Sequence, residues 1–244
     1  EIYSQVFALD AQRNAVGFRG LPQTFNQNPI TSPDEQDADG NYTYPRDLMR
    51  GSFENWGLES KWIRKYRQGD RARVLLLGVK YYQAYNQAQQ GPGSLGTDAD
   101  FNFYSDRFSD YPSQSNFNFP NRNLALFGEH IWFLGDKWSV TPGFRAEYIR
   151  TASEGSYLEQ RYDNAGNLIF SQELRDDRLL ERSFVLAGLG VSYRPKDKLE
   201  TYFNISQNYR SVTFSDIRTV NPSFVIDPEI SDEKIGRASC RERV

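Results

Sequence analysis

From Trp138 to Arg150 the chain reads Trp-Ser-Val-Thr-Pro-Gly-Phe-Arg-Ala-Glu-Tyr-Ile-Arg, with apolar residues at even positions through Tyr148 and polar or small ones at Ser139, Thr141, Gly143, Arg145 and Glu147. A period of two marks a strand with one apolar and one wet face. At about 13 residues the run is longer than the usual strand of about 5 to 6, and it suits a barrel crossing, which needs about 9 to 11 tilted residues. Trp138 and Tyr148 at its ends fit two interfacial girdles. Pro142 withholds a ladder hydrogen bond, so a local bulge is expected there.

The same alternation recurs. Ile2–Leu9 is a loose strand, and 10–50, rich in Gly, Pro, Asn, Asp and Gln, reads as a long loop. In 51–67, Trp56, Leu58, Trp62 and Tyr66 share one parity, with Asn55, Glu59, Lys61 and Lys65 on the other. Gln68-Gly-Asp70 turns tightly into 71–86, where Leu75, Leu77, Val79 and Tyr81 form one face. A polar stretch, 87–120, separates these from a strand over 121–134, whose faces stay unassigned because Leu124, Leu126 and Trp132 compete with Phe127, Ile131 and Phe133. Gly135-Asp-Lys137 turns into the strand at Trp138; 151–181 is a third long loop, within which Asn164–Asn167 can turn a hairpin. Strands over 182–194 and 199–210 follow, joined at Pro195–Lys198. Long connections therefore alternate with short ones, and antiparallel pairing sends all long loops to one end of the sheet. Such asymmetry belongs to an outer-membrane barrel with short periplasmic turns and longer extracellular loops.

Composition narrows the alternatives. There is no run of about 18 apolar residues, hence no transmembrane helix, although hydropathy is blind to barrels. Aromatics make up 15% of a chain that is 25% charged with a net charge of -3, which girdles and aromatic-lined loops explain. One Cys and one His leave no disulfide framework and no thiolate or imidazole metal site, and no cofactor is expected. No phosphate loop, dinucleotide fingerprint or basic nucleic-acid surface is present. The chain starts at Glu1 without a leader, so it is expected to begin inside something larger.

Several stretches resemble a TonB-dependent outer-membrane receptor: Ala125-Leu-Phe-Gly-Glu-His-Ile131 followed by Trp138–Tyr148, then Tyr202–Ser211, then Asn221–Lys234. They span about half the chain, in family order and spacing, and ferric siderophore and ferric dicitrate receptors are the nearest subfamily. The resemblance implies an all-β, antiparallel transmembrane β-barrel, about 22 strands with a plugged lumen, of which residues 1–234 are a middle part. It also implies residence in the outer membrane of a Gram-negative bacterium. The implied activity is uptake of a ferric siderophore or ferric citrate, energised by the TonB complex through a plug domain that nothing here resembles. After Lys234 a further amphipathic strand is expected, but 235–244 lacks the pattern and carries Cys240 among charges, so it reads as a non-native tail.

Candidate ligand contacts lie in the loops and lumen. Aromatics of 87–123, among them Tyr104, Phe108 and Tyr111, with Arg107 and Arg122, could stack on and pair with an anionic chelate, or simply pack the loop. Glu59, Arg145, Glu147, Arg150, Asn208 and Arg210 are expected on wet faces, where charges usually pair with one another; Arg46 and Arg218 lie in outer loops. The acidic stretch Asp34–Asn41 places Arg46 where a calcium loop needs its bidentate Glu, and an acidic surface turn is expected instead. His130 has no Ser or Asp placed beside it by any motif, and catalysis is not expected. A passive porin would share the strand pattern, whereas a secreted carbohydrate-binding β protein would need shorter strands.

Overall fold

The computed structural model describes residues 1–18, 36–109, 111–165, 167–196, 199–210 and 233–243. Nine strands form one sheet: β1 (Ile2–Phe18), β2 (Arg46–Gln68), β3 (Arg71–Pro92), β4 (Ser115–Leu134), β5 (Trp138–Tyr162), β6 (Leu168–Arg175), β7 (Arg178–Lys196), β8 (Leu199–Arg210) and β9 (Glu233–Arg243). They lie in sequence order, β1-β2-β3-β4-β5-β7-β8-β9, with β6 hairpinned onto the far end of β5. Every pairing is antiparallel, as in the wall of a partial barrel. Gly69 and Gly135, both at positive φ, make the tight turns at one end.

Register settles the faces. Trp56, Leu58 and Trp62 oppose Gln83, Tyr81 and Leu77; Tyr81 and Val79 oppose Leu124 and Leu126; and these oppose Tyr148 and Ala146. Phe144, Ala146 and Val140 continue onto Ala187, Val185 and Val191, and Leu189 and Val191 onto Ile205 and Phe203. This exposed apolar face is the lipid side, bounded by Trp62, Trp132 and Trp138 at the turn end and by Trp56 and Tyr148 at the loop end. Trp138 to Tyr148 measures roughly 34 Å along the strand at about 3.4 Å per residue, or roughly 26 Å after a tilt of about 40°, matching an apolar band of about 25 Å.

The competition within β4 is resolved: Leu124, Leu126 and Trp132 face lipid, while Phe127 faces the lumen opposite Gly78, where a Cβ would overlap its ring. Phe7 covers Gly57 in the same way. These lumen aromatics broke the sequence alternation because they replace side-chain volume that the glycines lack.

Two expectations are corrected. No bulge forms at Pro142: its pairing with β7 is continuous, and the β4 ladder is interrupted opposite it but resumes in the same register, Glu129 with Gly143 and Trp132 with Val140. The missing N–H is absorbed by a gap instead of an extra residue. Strands also run well past the lipid band. Residues 10–18, 46–50, 87–92, 115–120 and 151–162 are strand, where the composition suggested loop, because a wall wet on both faces has no hydrophobic alternation to read. The backbone of Glu233–Arg243 is strand β9, paired with β8 from Arg210 opposite Glu233 to Glu200 opposite Arg243.

Most buried side chains lie in the loop-side half of the wall, among them Leu48, Tyr111, Phe117, Phe119, Ile149 and Ala152, while Ala125 is buried mid-wall opposite Lys80 and Glu147.

Candidate functional site on the loop side

The mid-wall cations Lys61, Lys80 and Arg145 on the lumen face are paired with carboxylates. Glu59 on β2 lies 2.5 Å from Lys61 and 3.9 Å from Lys80 of β3. Arg145 on β5 pairs with Glu147, which also accepts from Asn123 Nδ2 at 3.2 Å. Arg145 lies over the Phe127 ring and Lys80 over that of Phe7, at 5.5 and 5.4 Å. The expectation that Glu59, Arg145 and Glu147 face the lumen holds, and their charges are spent on one another.

Arg150 is a correction. It shares the parity of Tyr148, opposes Arg122 on β4 and Glu181 on β7, and so stands on the outer face just beyond the girdle. Its Nε lies 3.3 Å from Glu181, to which the Tyr148 hydroxyl also donates at 3.0 Å. Asn208 and Arg210 belong to β8, which ends at Arg210. Arg218 lies outside the described residues, as does the stretch Asn221–Asp232.

The connection between β3 and β4 uses most of its aromatics and one arginine to fold itself. Arg46 is 7% exposed and donates to Thr97 O at 3.0 Å, Ser94 Oγ at 2.9 Å and Asp98 O at 2.6 Å, strapping residues 93–98 across the start of β2. The buried Tyr111 hydroxyl donates to Asp47 Oδ1 at 2.6 Å. Phe103 lies under Arg50, 4.8 Å away, and Phe117 and Phe119 stack in the buried layer. Tyr104 donates to Asp100, which holds that carboxyl below its ordinary value and raises the phenol, outweighing the opposing effect of desolvation on the carboxyl. Arg107 remains exposed above the Tyr104 ring at 5.5 Å, with Phe108 half-buried nearby. In the turn before β7, Asp177 is held low by Arg175, and its other oxygen accepts from Gly155 N at 3.0 Å.

The acidic stretch forms a backbone turn: Asp37 Oδ1 accepts from the amides of Asp39 and Asn41, both at 2.9 Å, and Gly40 takes a positive φ. Asp34 and Glu35 lie outside the described residues. His130 faces outward and is hydrogen-bonded to the Tyr66 hydroxyl at 2.8 Å.

Several clefts open at the loop end, and two of them bear on the candidate residues. One, about 380 Å³, lies above the start of β4 between the tops of β3 and β5, with Gln89, Gln114, Asn116, Tyr157 and Glu173 around the Phe103 ring. The other, about 300 Å³, lies on the upper lumen face between β1 and β4, where Arg13 stands beside Met49, Phe53, Gln90 and Ser115. Arg13 is exposed and has no carboxylate partner among the described residues. Sequence reading missed it because its strand extension was taken as loop; the alternation Ala11, Arg13, Ala15 against Gln12 and Asn14 is too polar to signal a face.

An antiparallel wall with an outward apolar band, aromatic girdles, a charged inner face whose mid-wall cations are paired, and long connections at one end defines a transmembrane β-barrel segment. The chain belongs to the TonB dependent receptor-like, beta-barrel family, whose model matches residues 3–234. Among solved structures it is similar to the ferric yersiniabactin uptake receptor FyuA from Yersinia pestis, at 13% identity and a TM-score of 0.42 over 86% of this chain. The chain spans 35% of that receptor's length. No curated protein matches it.

Proposed function

We propose that this wall belongs to a receptor in the outer membrane of a Gram-negative bacterium that takes up an anionic ferric chelate, a siderophore or ferric citrate, by a TonB-energised route. Membership of the family over residues 3–234 supports the receptor class. The observation that carries the ligand class is Arg13, a lumen-facing cation at the loop end beside the apolar surface of Met49 and Phe53. The mid-wall cations Lys61, Lys80 and Arg145 are paired with carboxylates, whereas Arg13 offers an anion in the upper lumen an uncompensated guanidinium. A planar fork beside an apolar wall suits a chelate with carboxylate or catecholate oxygens around an organic scaffold. Arg107 and Phe108 on the outer loop provide an earlier contact in the same reading.

Titrating ferric citrate and a ferric siderophore against the protein in detergent, followed by tryptophan quenching, tests this. Arg13→Gln is expected to weaken binding on the order of tenfold, as loss of a charge-assisted hydrogen bond does. Undiminished binding by the variant would remove Arg13 from the site. Steady open conductance in a planar bilayer without chelate binding would identify a passive porin instead.

A further inference from the structure

On the lipid side, the turn end of β2, β3 and β4 carries cations where apolar girdle residues are the rule. Tyr66, Arg73 and Trp132 oppose one another across the three strands, with Arg64, Leu75 and His130 on the next rung toward the lipid midplane. Arg64 and Arg73 are diagonal neighbours on adjacent strands, a like-charge arrangement that costs stability by itself. At the outward positions of β2 from Trp56 to Gln68, and of β3, β4 and β5 up to Tyr148, no residue is Asp or Glu. Within these strands the acids Glu129 and Glu59 face the lumen, and Asp70 and Asp136 lie in the turns beyond the strand ends. Among the described residues neither arginine has an ion pair, and Arg73 Nε and His130 Nδ1 are buried without a hydrogen-bond partner. Arg64 lies 5.7 Å over the Tyr66 ring, whose hydroxyl is fixed to His130 Nε2, and His130 stands edge-on to Trp132 at 5.3 Å.

The rung occupies the height of the Trp62, Trp132 and Trp138 girdle, the level of lipid phosphates rather than acyl chains. Two guanidinium groups that repel each other and meet no carboxylate are reconciled by an anion between them, and at this height the anion at hand is a headgroup. We propose that this face is a binding site for an anionic glycerophospholipid of the turn-side leaflet, its phosphodiester gripped between Arg64 and Arg73. Tyr66, His130 and Trp132 form the rigid floor against which the glycerol end packs. Arginine forks suit this task because they bind phosphate oxygens in pairs. The proposal rests on the outer-membrane reading above, in which the turn side is the phospholipid leaflet.

The test is native mass spectrometry of the full chain released from nanodiscs of phosphatidylethanolamine containing a minority of phosphatidylglycerol. Retained lipid is expected to be enriched in phosphatidylglycerol on the order of fivefold over the bulk ratio. The double variant Arg64→Gln/Arg73→Gln should return retained lipid to the bulk ratio, whereas Lys65→Gln, which removes an adjacent cation from the lumen face, should keep the enrichment. Enrichment that survives the double variant, or none in the unmodified chain, overturns the headgroup site and leaves the receptor reading intact. A chain that stays soluble and never enters the nanodisc overturns both. Identical far-UV circular dichroism of all three proteins keeps a folding defect from imitating the result.

Discussion

At single residues, the lumen wall is built on glycines roofed by rings. A methyl group at Gly78 would overlap Phe127, and one at Gly57 would overlap Phe7. Gly78→Ala is therefore expected to destabilise the folded wall by about 1–3 kcal/mol, the usual cost of overpacking; urea unfolding from liposomes measures it, and Gly78→Ala/Phe127→Ala should recover part of the loss if the ring is the obstacle. Asp100 offers a second handle. Its carboxyl is held low, first by the Tyr104 hydroxyl and then by backbone donors including the Asn102 amide. A depressed folded value means that the bond stabilises the loop above the unfolded pKa, about 3.9, and that this contribution is lost as pH falls through the lower folded value. Tyr104→Phe should move the Asp100 titration upward, read from its side-chain carbon shift by NMR; an unmoved titration would show that the backbone donors alone hold it down.

At the scale of elements, the loop between β3 and β4 is closed from outside itself, by Arg46 at the start of β2. Arg46→Ala removes three donated bonds from a buried group and is expected to speed hydrogen exchange across residues 93–98 by at least about tenfold, since bonds to charged groups contribute about 1.5–3 kcal/mol each. Exchange within β3 itself should stay as it was. That strap was illegible in the sequence, where Arg46 sat in a polar stretch with nothing to distinguish a ligand contact from a clamp. What could be read were the segments that face lipid on one side, because a bilayer enforces the alternation of Leu75, Leu77, Val79 and Tyr81. Beyond the bilayer the constraint lapses, so the upper parts of β1 and β5, and β6 altogether, passed for loop. Arg150 was misplaced for a different reason: its charge suggested the wet face, while its parity with Tyr148 already fixed it outside. An arginine tolerates that position because it lies past the girdle, where water and headgroups begin.

For the whole molecule, the assignment of faces makes one sharp demand. Leu126 lies in the middle of the outward band and Thr141 on the lumen side of the neighbouring strand. Leu126→Arg should cost about 2–4 kcal/mol of folding free energy in liposomes, whereas Thr141→Arg should cost little; equal costs would mean that the apolar face is not in lipid. The length of the strands has a different consequence. From Tyr148 at the outer girdle, β5 continues to Tyr162 as unbroken strand, roughly 36 Å of further height at about 3.4 Å per residue and a tilt of about 40°. Among the described residues the loop side is thus the rim of a turret of paired strand. Its clefts are cut into hydrogen-bonded masonry, so a ligand arriving there orders little chain and loses little of its binding energy to entropy.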